Sequence, residues 1–196
     1  MAVTPRNRET TQGPWKKGQR SKVSLMQVFR SSAAEKDAQK AAAAPSADGS
    51  EVTRRSKVRR EGVGEEVLRA HLRADLAALL HTTRLDSVID LDDVPHVRAS
   101  VLNYGFRDLS TIGLREIGNK DVVQSIRRSL MDHEPRLIPD SIQISVDRDS
   151  ADNFHHLSFS ISAELMSDPV DIPLDFTADV DLGAGKLRLG KLEMQK

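Results

Sequence analysis

The stretch Met131–Val146, MDHEPRLIPDSIQISV, marks the position at which the chain changes its periodicity. Upstream of it, apolar residues recur every three or four positions, as they do on one face of a helix. Downstream of it, apolar and polar residues alternate, as they do in a strand with one buried face. Pro135 stands at this change. Because proline fixes its own φ and disfavours helix in the residue before it, Glu134 and Arg136 are predicted to lie on a stiff corner.

Three helices are predicted before the corner. The first runs from Glu65 to His81, the second starts at Pro95 and ends at Gly105, and the third extends from its cap at Asn119 to the corner. Each has one apolar face at helical spacing, which predicts packing against the body of the protein. The residues predicted to face inward are Leu68, Leu72, Leu76, Leu79, Leu80, Val97, Val101, Leu102, Val122, Val123, Ile126 and Leu130.

The residues after the corner predict an antiparallel sheet. Apolar and polar residues alternate in Ile142–Val146, Leu157–Leu165 and Val170–Leu182, and a last short strand runs from Lys186 to Leu189. Pro173 cannot donate a hydrogen bond to a neighbouring strand, so its strand is predicted to lie at an edge, at least locally.

The alternation slips after Gly190, which predicts a β-bulge. Asp171, Asp175 and Asp179 fall on the polar side of their strand and are expected to be solvated. The predicted fold class is α+β: N-terminal helices packed on a three- to four-stranded mainly antiparallel sheet, within a domain spanning residues 61–196.

Residues 1–60 are predicted to form a disordered basic arm before this domain. They hold 14 Lys and Arg against 5 Asp and Glu, although the whole chain has 29 of each sign. From Ala33 to Arg60 the arm has no aromatic residue and few large apolar ones, so it cannot bury enough surface to offset the entropy of ordering. The N-terminus has no signal-peptide pattern, no apolar run has the length of a membrane span, and the chain has no cysteine.

A short apolar island interrupts the arm at residues 23–30. Leu25, Val28 and Phe29 fall on one face of about two helical turns, flanked by basic residues. The island either orders in the groove of a partner or folds back on its own domain, and the sequence leaves both possibilities open.

No residue pattern predicts a catalytic, metal or cofactor site. The six histidines are not spaced as metal ligands, and the adjacent His155 and His156 would point to opposite faces of a strand. There is no nucleophile elbow and no glycine-rich phosphate loop. Glycoside hydrolysis needs two carboxylates across a cleft, and Glu134 has no obvious second member. From spacing alone, Glu134 and Arg136 are better explained as structural residues than as a projecting binding site.

The segment Ser100–Leu109, SVLNYGFRDL, followed by Glu134-Pro135-Arg136, resembles the phage tail baseplate wedge proteins that carry a lysozyme-like label. Among bacterial proteins the chain is similar to the TssE baseplate subunits of type VI secretion systems. The leucine- and arginine-rich stretch Glu66–Arg84 also fits the family, and the resemblance covers roughly residues 61–190. This resemblance implies that Asn103, Tyr104 and Gly105 form the structural motif of the family.

The resemblance implies a non-catalytic role in a contractile injection baseplate that is cytoplasmic and docked at the inner membrane. It implies binding to the TssF and TssG wedge subunits and to the TssB/TssC sheath, with TssK and the VgrG hub as further candidate partners, in six copies per baseplate. It also implies partner contacts by Glu134, Pro135 and Arg136, and an N-terminal docking motif at Leu25, Val28 and Phe29. No cofactor is expected.

Two other hypotheses stay open at this point. The lysozyme-like label of the phage relatives suggests a peptidoglycan hydrolase, which would require a cleft with facing carboxylates near Glu134. The basic arm suggests an adaptor that binds nucleic acid, although no recognition motif accompanies its charge.

Overall fold

The computed structural model describes residues 20–23, 25–34, 36, 61–110, 112, 120–148, 157–167, 171–181 and 183–194. The predictions that lie outside these residues concern positions 1–19 and 37–60 of the arm, Asn119, His155, His156, Val170 and Leu182. Within them, no helix has both the length and the apolar composition that crossing a membrane would require.

Among the described residues, four α-helices precede the sheet: α1 (Leu25–Ala34), α2 (Glu65–His81), α3 (Pro95–Arg98) and α4 (Lys120–His133). The predicted bounds of α2 are confirmed, and its five predicted leucines are its buried residues. In α4, Val122, Ile126 and Leu130 are buried, as expected from their spacing, and Val123 is half-buried. The apolar stripes of α2 and α4 therefore form the helical side of the core.

The sheet has four strands in the order β1 (Gln143–Arg148), β2 (Leu157–Leu165), β3 (Ile172–Asp181) and β4 (Lys186–Met194). All neighbouring strands are antiparallel, which confirms the α+β class. Alternate residues of β2 and β3 are buried, so one face of the sheet packs against the helices and the other meets solvent. The side chains of Phe159, Ile161 and Ala178 are fully buried at its centre.

The predicted bulge is present in β4. Phe176 pairs with Leu192 but Ala178 pairs with Leu189, so β4 holds one residue more than β3 between these pairs. The backbone N–H of Lys191 donates instead to Oγ1 of Thr177 at 3.0 Å. Pairing resumes after the bulge, so the last strand continues to Met194, beyond its predicted end at Leu189.

Pro173 lies on an interior strand but at a local edge. It pairs with Glu164 of β2, whereas the pairing of β3 with β4 begins one residue later, at Leu174. The missing N–H of proline therefore faces a side on which the described residues provide no neighbouring strand, as the sequence predicted for its local surroundings.

The predicted second helix is wrong in its length and in its buried face. α3 ends at Arg98, and Oγ of Ser100 then accepts a hydrogen bond from the N–H of Leu102 at 3.2 Å, which starts a separate 3₁₀ turn. This change of direction breaks the helical period. Val101 and Leu102 are therefore 82% and 67% exposed rather than packed inward.

The expectation that Asp171 is solvated is also wrong. Asp171 is 8% exposed, and its Oδ1 accepts a hydrogen bond from the N–H of Ser167 at 3.0 Å. The carboxylate thus satisfies a buried backbone donor that follows β2. Strand alternation alone does not reveal this, because Asp171 stands just before β3 begins.

We predict that Leu130→Ala lowers the free energy of unfolding by about 2–5 kcal/mol, because it removes a fully buried side chain and leaves a cavity. Leu102→Ala makes the same chemical change at an exposed position and should alter stability by less than about 0.5 kcal/mol. Urea denaturation followed by circular dichroism measures both. A large loss in Leu102→Ala would contradict the exposed position of that residue.

Candidate interaction site

The corner after α4 is a tight turn that Pro135 stiffens. The N–H of Glu134 donates to the carbonyl of Leu130 at 2.9 Å, which completes the last turn of the helix. The N–H of Leu137 donates to the carbonyl of Glu134 at 3.0 Å, with Pro135 in the second position of the turn, where its fixed φ is favourable.

The outgoing side of the corner is hydrogen-bonded to the end of β2. The N–H of Met166 donates to the carbonyl of Arg136 at 2.7 Å, and the N–H of Ile138 donates to the carbonyl of Glu164 at 2.9 Å. Leu137 lies between them and is 2% exposed. The corner is therefore held by α4 on one side and by the sheet on the other.

Glu134 and Arg136 face each other and Asp75 of α2. Nε of Arg136 donates to Oε1 of Glu134 at 2.6 Å, and Nη2 donates to Oε2 at 2.5 Å and to Oδ2 of Asp75 at 2.8 Å. Glu134 is 4% exposed, so a single guanidinium neutralises a buried carboxylate and reaches a second helix. We call Asp75, Glu134 and Arg136 the corner cluster.

Burial of Arg136 acts to lower its pKa, but the hydrogen bonds and charge of Glu134 together with Asp75 outweigh this effect and raise the pKa above its ordinary value. The guanidinium therefore keeps its charge in the folded protein. Glu134 does not project from the corner, and Arg136 is half-buried beside it. Of the three corner residues predicted for partner contacts, only Pro135 is exposed.

Asp75 also binds the N-terminal island. Nε2 of Gln27 donates to Oδ2 of Asp75 at 2.5 Å, and Nη1 of Arg30 donates to Oδ1 at 2.5 Å. A second attachment precedes the helix, where Ser21 and Val63 form an antiparallel bridge through two backbone hydrogen bonds of 2.9 and 2.8 Å. The island therefore folds back onto its own domain in this structure.

Only part of the predicted apolar face of α1 packs on the domain. Gln27 and Val28 are buried, whereas Leu25 is 56% and Phe29 is 52% exposed. Met26, which the sequence reasoning did not select, is 71% exposed on the same helix. The structure therefore separates the predicted trio: Val28 packs on the domain, and Leu25 and Phe29 face solvent.

His71 lies one helical turn before Asp75 in α2. Its Nδ1 is buried and has no hydrogen-bond partner among the described residues. Burial lowers the pKa of His71, and the charges of Arg136 and Arg30 lower it further, while Asp75 acts in the opposite direction. This histidine borders a cavity of about 270 Å³ beneath the arm, to which Arg136 and Gln27 also contribute.

Asn103 and Gly105 fix the segment before α4. Asn103 is buried, its Oδ1 accepts from the N–H of Asp86 at 3.0 Å, and its Nδ2 donates to the carbonyl of Arg98 at 3.0 Å. Gly105 has a φ of +122°, and a Cβ there would collide with the carbonyl of Thr82. Gly105 was predicted to end a helix, but its positive φ instead allows this close approach to Thr82.

Tyr104 connects this segment to the corner. Its ring packs edge-on against that of His133, with centroids 5.2 Å apart, and Nε2 of His133 is 3.1 Å from the carbonyl oxygen of Asn103. Burial raises the pKa of Tyr104, as do the charges of Asp75 and Glu134. The two sequence motifs therefore meet in space at the residue that precedes Glu134.

The corner cluster is not arranged as an acid–base pair. Both carboxylate oxygens of Glu134 accept hydrogen bonds from Arg136, and the neighbouring Asp75 binds the same guanidinium. Glycoside hydrolysis instead needs one carboxyl that holds a proton and one that faces it across a substrate cleft.

A polar cleft of about 820 Å³ lies elsewhere, between α4 and the segment around residues 84–108. Its acids include Asp86, which pairs with Arg84, and Asp108. Hydrogen bonds from Ser110 lower the pKa of Asp108, which is the opposite of the shift that a general acid requires. In the described part of the chain, no three His, Asp or Glu residues are grouped so that they could hold a metal ion.

The family model for baseplate wedge protein gp25 matches residues 66–170, which is more than half of the chain. The matched range contains Asn103–Gly105 and all three residues of the corner cluster, but not α1. Neither the curated proteins nor the solved structures gave a match.

We predict that Asp75→Ala releases α1, because Gln27 and Arg30 then lose their shared acceptor. Hydrogen exchange of the amides in Leu25–Ala34 should become faster, and the free energy of unfolding should fall by about 1–3 kcal/mol. Asp92→Ala is the control: it removes an exposed ion pair with Arg98 and should cost less than about 1 kcal/mol. Unchanged exchange in α1 would refute the role of Asp75.

We also predict a pH dependence of stability that originates in His71. Its pKa in the folded protein lies below the ordinary value of 6.5, so the unfolded chain binds the proton more readily. The contribution of His71 to stability is therefore complete above pH 6.5 and is lost as the pH falls through its folded-state pKa.

His71→Gln, which cannot take up this proton, should flatten the decrease of the unfolding free energy below pH 6.5. His96→Gln serves as a control because His96 is exposed. Urea titrations of the three proteins across this pH range measure the effect. Parallel curves for wild type and His71→Gln would show that His71 does not cause it.

Proposed function

The chain belongs to the baseplate wedge protein gp25 family, and we propose that it is the TssE-type subunit of a type VI secretion baseplate. The family match over residues 66–170 is the observation that carries this proposal. The proposed role is structural: the protein binds wedge subunits and provides the first ring of the sheath with a template. It would act in the cytoplasm, at a baseplate docked to the inner membrane.

The proposed wedge partners are TssF and TssG, with TssK and the VgrG hub as further neighbours and six copies of this subunit in each baseplate. The orientation of α1 supports a wedge contact. The polar side chains of Gln27 and Arg30 attach this helix to Asp75, which leaves Leu25, Met26 and Phe29 exposed side by side on a short helix. A helix that presents apolar residues in this way fits an apolar groove between partner helices.

The corner cluster supports this contact by setting the position of α1. Arg136 and Arg30 share the carboxylate of Asp75, so the corner and the helix form one continuous surface. In this proposal Glu134, Pro135 and Arg136 contribute to partner binding chiefly by shaping that surface.

A non-enzymatic role agrees with the family and with the geometry at Glu134, whose carboxylate is occupied by Arg136. Two observations speak against a peptidoglycan hydrolase: the carboxylate of Glu134 is occupied by Arg136, and the pKa of Asp108 in the polar cleft is lowered rather than raised. The proposed sheath partners are the TssB/TssC subunits, whose terminal segments would add to the sheet as extra strands.

Charge reversal at Arg136 is not a clean test of this function. Arg136 neutralises the buried Glu134 and also pairs with Asp75, so reversing its charge should destabilise the folded protein itself. A glutamate in its place would put three carboxylates together and leave a buried charge without a partner. The exposed face of α1 offers a better target.

We predict that Leu25→Asp and Phe29→Asp each weaken binding to a TssF–TssG complex by about tenfold or more, because each removes a large apolar side chain from the contact. The unfolding free energy should stay within about 0.5 kcal/mol of wild type, since both side chains are exposed. Pull-down of the tagged full-length protein, followed by titration, measures the affinity.

Ala33→Asp is the matched control, because it adds the same charge to an exposed position of the same helix without removing a large side chain. It should retain most of the binding. Equal losses in all three variants would assign the effect to charge rather than to the apolar face. Wild-type affinity in both apolar variants would refute the proposed wedge contact of α1.

A further inference from the structure

A second group of exposed apolar side chains lies in the segment 88–102, between α2 and α4. Val88 and Val101 are each 82% exposed, Leu102 is 67%, Ile89 is 53% and Val94 is 42% exposed. We call these five residues the loop patch. Exposed apolar side chains that are grouped and surrounded by polar residues mark a surface for protein contacts.

We propose that the loop patch binds α1 of a second copy of this protein. Such a contact goes beyond the proposed function, because it concerns the protein before it joins a baseplate.

The loop patch is held in place by hydrogen bonds from one buried side chain. The 3₁₀ turn at Val101–Asn103 contacts both α3 and the 3₁₀ turn at Leu85–Ser87. Nδ2 of Asn103 donates to Oδ2 of Asp86 at 3.3 Å and to the carbonyl of Arg98 at 3.0 Å, so it joins all three elements. A patch on a fixed backbone loses little conformational entropy when it binds a partner.

The charges around the loop patch are mainly acidic. Residues 85–103 contain four aspartates and one arginine. Asp90, Asp92 and Asp93 are exposed in the stretch that connects Ile89 with Val94, and Arg98 pairs with Asp92 at 2.7 Å. The loop patch is therefore complementary to an apolar surface that has basic residues beside it.

α1 has this complementary chemistry. Leu25, Met26 and Phe29 are exposed on it, and the basic residues Lys22 and Arg30 flank them. The side chain of Arg30 is 61% exposed although it pairs with Asp75, so a second acidic group can approach it. In the described part of the chain, no other helix exposes three large apolar side chains. The chain thus carries both halves of a contact.

The two halves do not meet within one copy. The side chains of α1 and of the loop patch are exposed, and α1 is fixed elsewhere by Asp75 and by the bridge between Ser21 and Val63. The contact therefore joins α1 of one copy to the loop patch of another, which is a heterologous interface.

The association is weak, because only a few apolar side chains meet on each side. We expect a dissociation constant on the order of tens of micromolar, as for small and transient interfaces. The face of α1 that binds the second copy is also the face proposed to bind wedge subunits. Self-association and wedge binding therefore exclude each other, and the wedge complex should separate the copies.

Sedimentation velocity of the full-length protein between about 5 and 500 µM measures the self-association. The average mass should rise with protein concentration. The rise should become smaller as the salt concentration increases, because salt screens the attraction between the aspartates and the basic residues of α1. A protein that stays monomeric throughout this range would overturn the inference.

Val101→Asp in the loop patch and Leu25→Asp in α1 should each weaken self-association by about tenfold or more. Both positions are exposed, so both variants should unfold as the wild type does. Gln143→Asp is the control, because it adds the same charge at an exposed position of β1 and should associate normally. Wild-type association of either apolar variant, or an equal loss in Gln143→Asp, would refute the contact.

A mixture of the two apolar variants tests which surfaces meet. The Leu25→Asp protein keeps an intact loop patch and the Val101→Asp protein keeps an intact α1, so one native contact can form between them. An equimolar mixture should therefore form dimers, although each variant alone stays monomeric. A monomeric mixture would show that like surfaces pair, α1 with α1 or loop patch with loop patch, and would rule out the proposed contact.

Wedge binding separates this contact from the proposed function. Val101→Asp should bind a TssF–TssG complex as tightly as the wild type does, because its α1 is intact. A monomeric wild type together with lost wedge binding in Val101→Asp would assign the loop patch to a wedge subunit and overturn the inference. If the wild type self-associates and the mixture forms dimers, but the wild type does not bind the wedge complex, the inference stands and the proposed function fails.

Discussion

The fold depends on the contact that Arg136 makes with two carboxylates. Glu134 is buried at the end of α4, and without the guanidinium its charge would lack a partner in a region that excludes water. The same side chain reaches Asp75 of α2, while its backbone carbonyl bonds to the strand end at Met166. One residue therefore joins two helices and the sheet, and Pro135 between the two charged residues fixes the angle at which they meet.

Asp75 extends this contact to the N-terminal helix, and the result is an unusual division of roles within α1. A short amphipathic helix ordinarily packs by its apolar side, but here Gln27 and Arg30 provide the polar attachment and Val28 is the buried apolar residue. The larger apolar side chains, Leu25 and Phe29, stay outside. Attachment by a few polar contacts to one carboxylate gives the helix a defined position while Leu25 and Phe29 remain exposed.

The sequence predicted the parts of this structure that follow from local periodicity. The leucine stripe of α2, the alternating strands and the bulge after Gly190 all depend on residues close together in the chain. The exposed positions of Val101 and Leu102 were not predicted, because the side chain of Ser100 starts a new turn. The spacing of apolar residues gives no indication of this hydrogen bond. The role of Asp75 was not predicted, because its hydrogen-bond partners lie 45 or more residues away in the chain. Without knowledge of those partners, a carboxylate on the polar face of a helix is expected to be solvated.

The bulge in β4 makes the two outer strands of the sheet unequal. Neighbouring strands pair regularly only where their backbone N–H and C=O groups recur at the same spacing. This spacing is regular along β1. In β4 it is interrupted by the additional residue between Leu189 and Leu192, where a backbone N–H donates to Thr177. A single inserted residue thus gives the two outer strands different patterns of backbone groups.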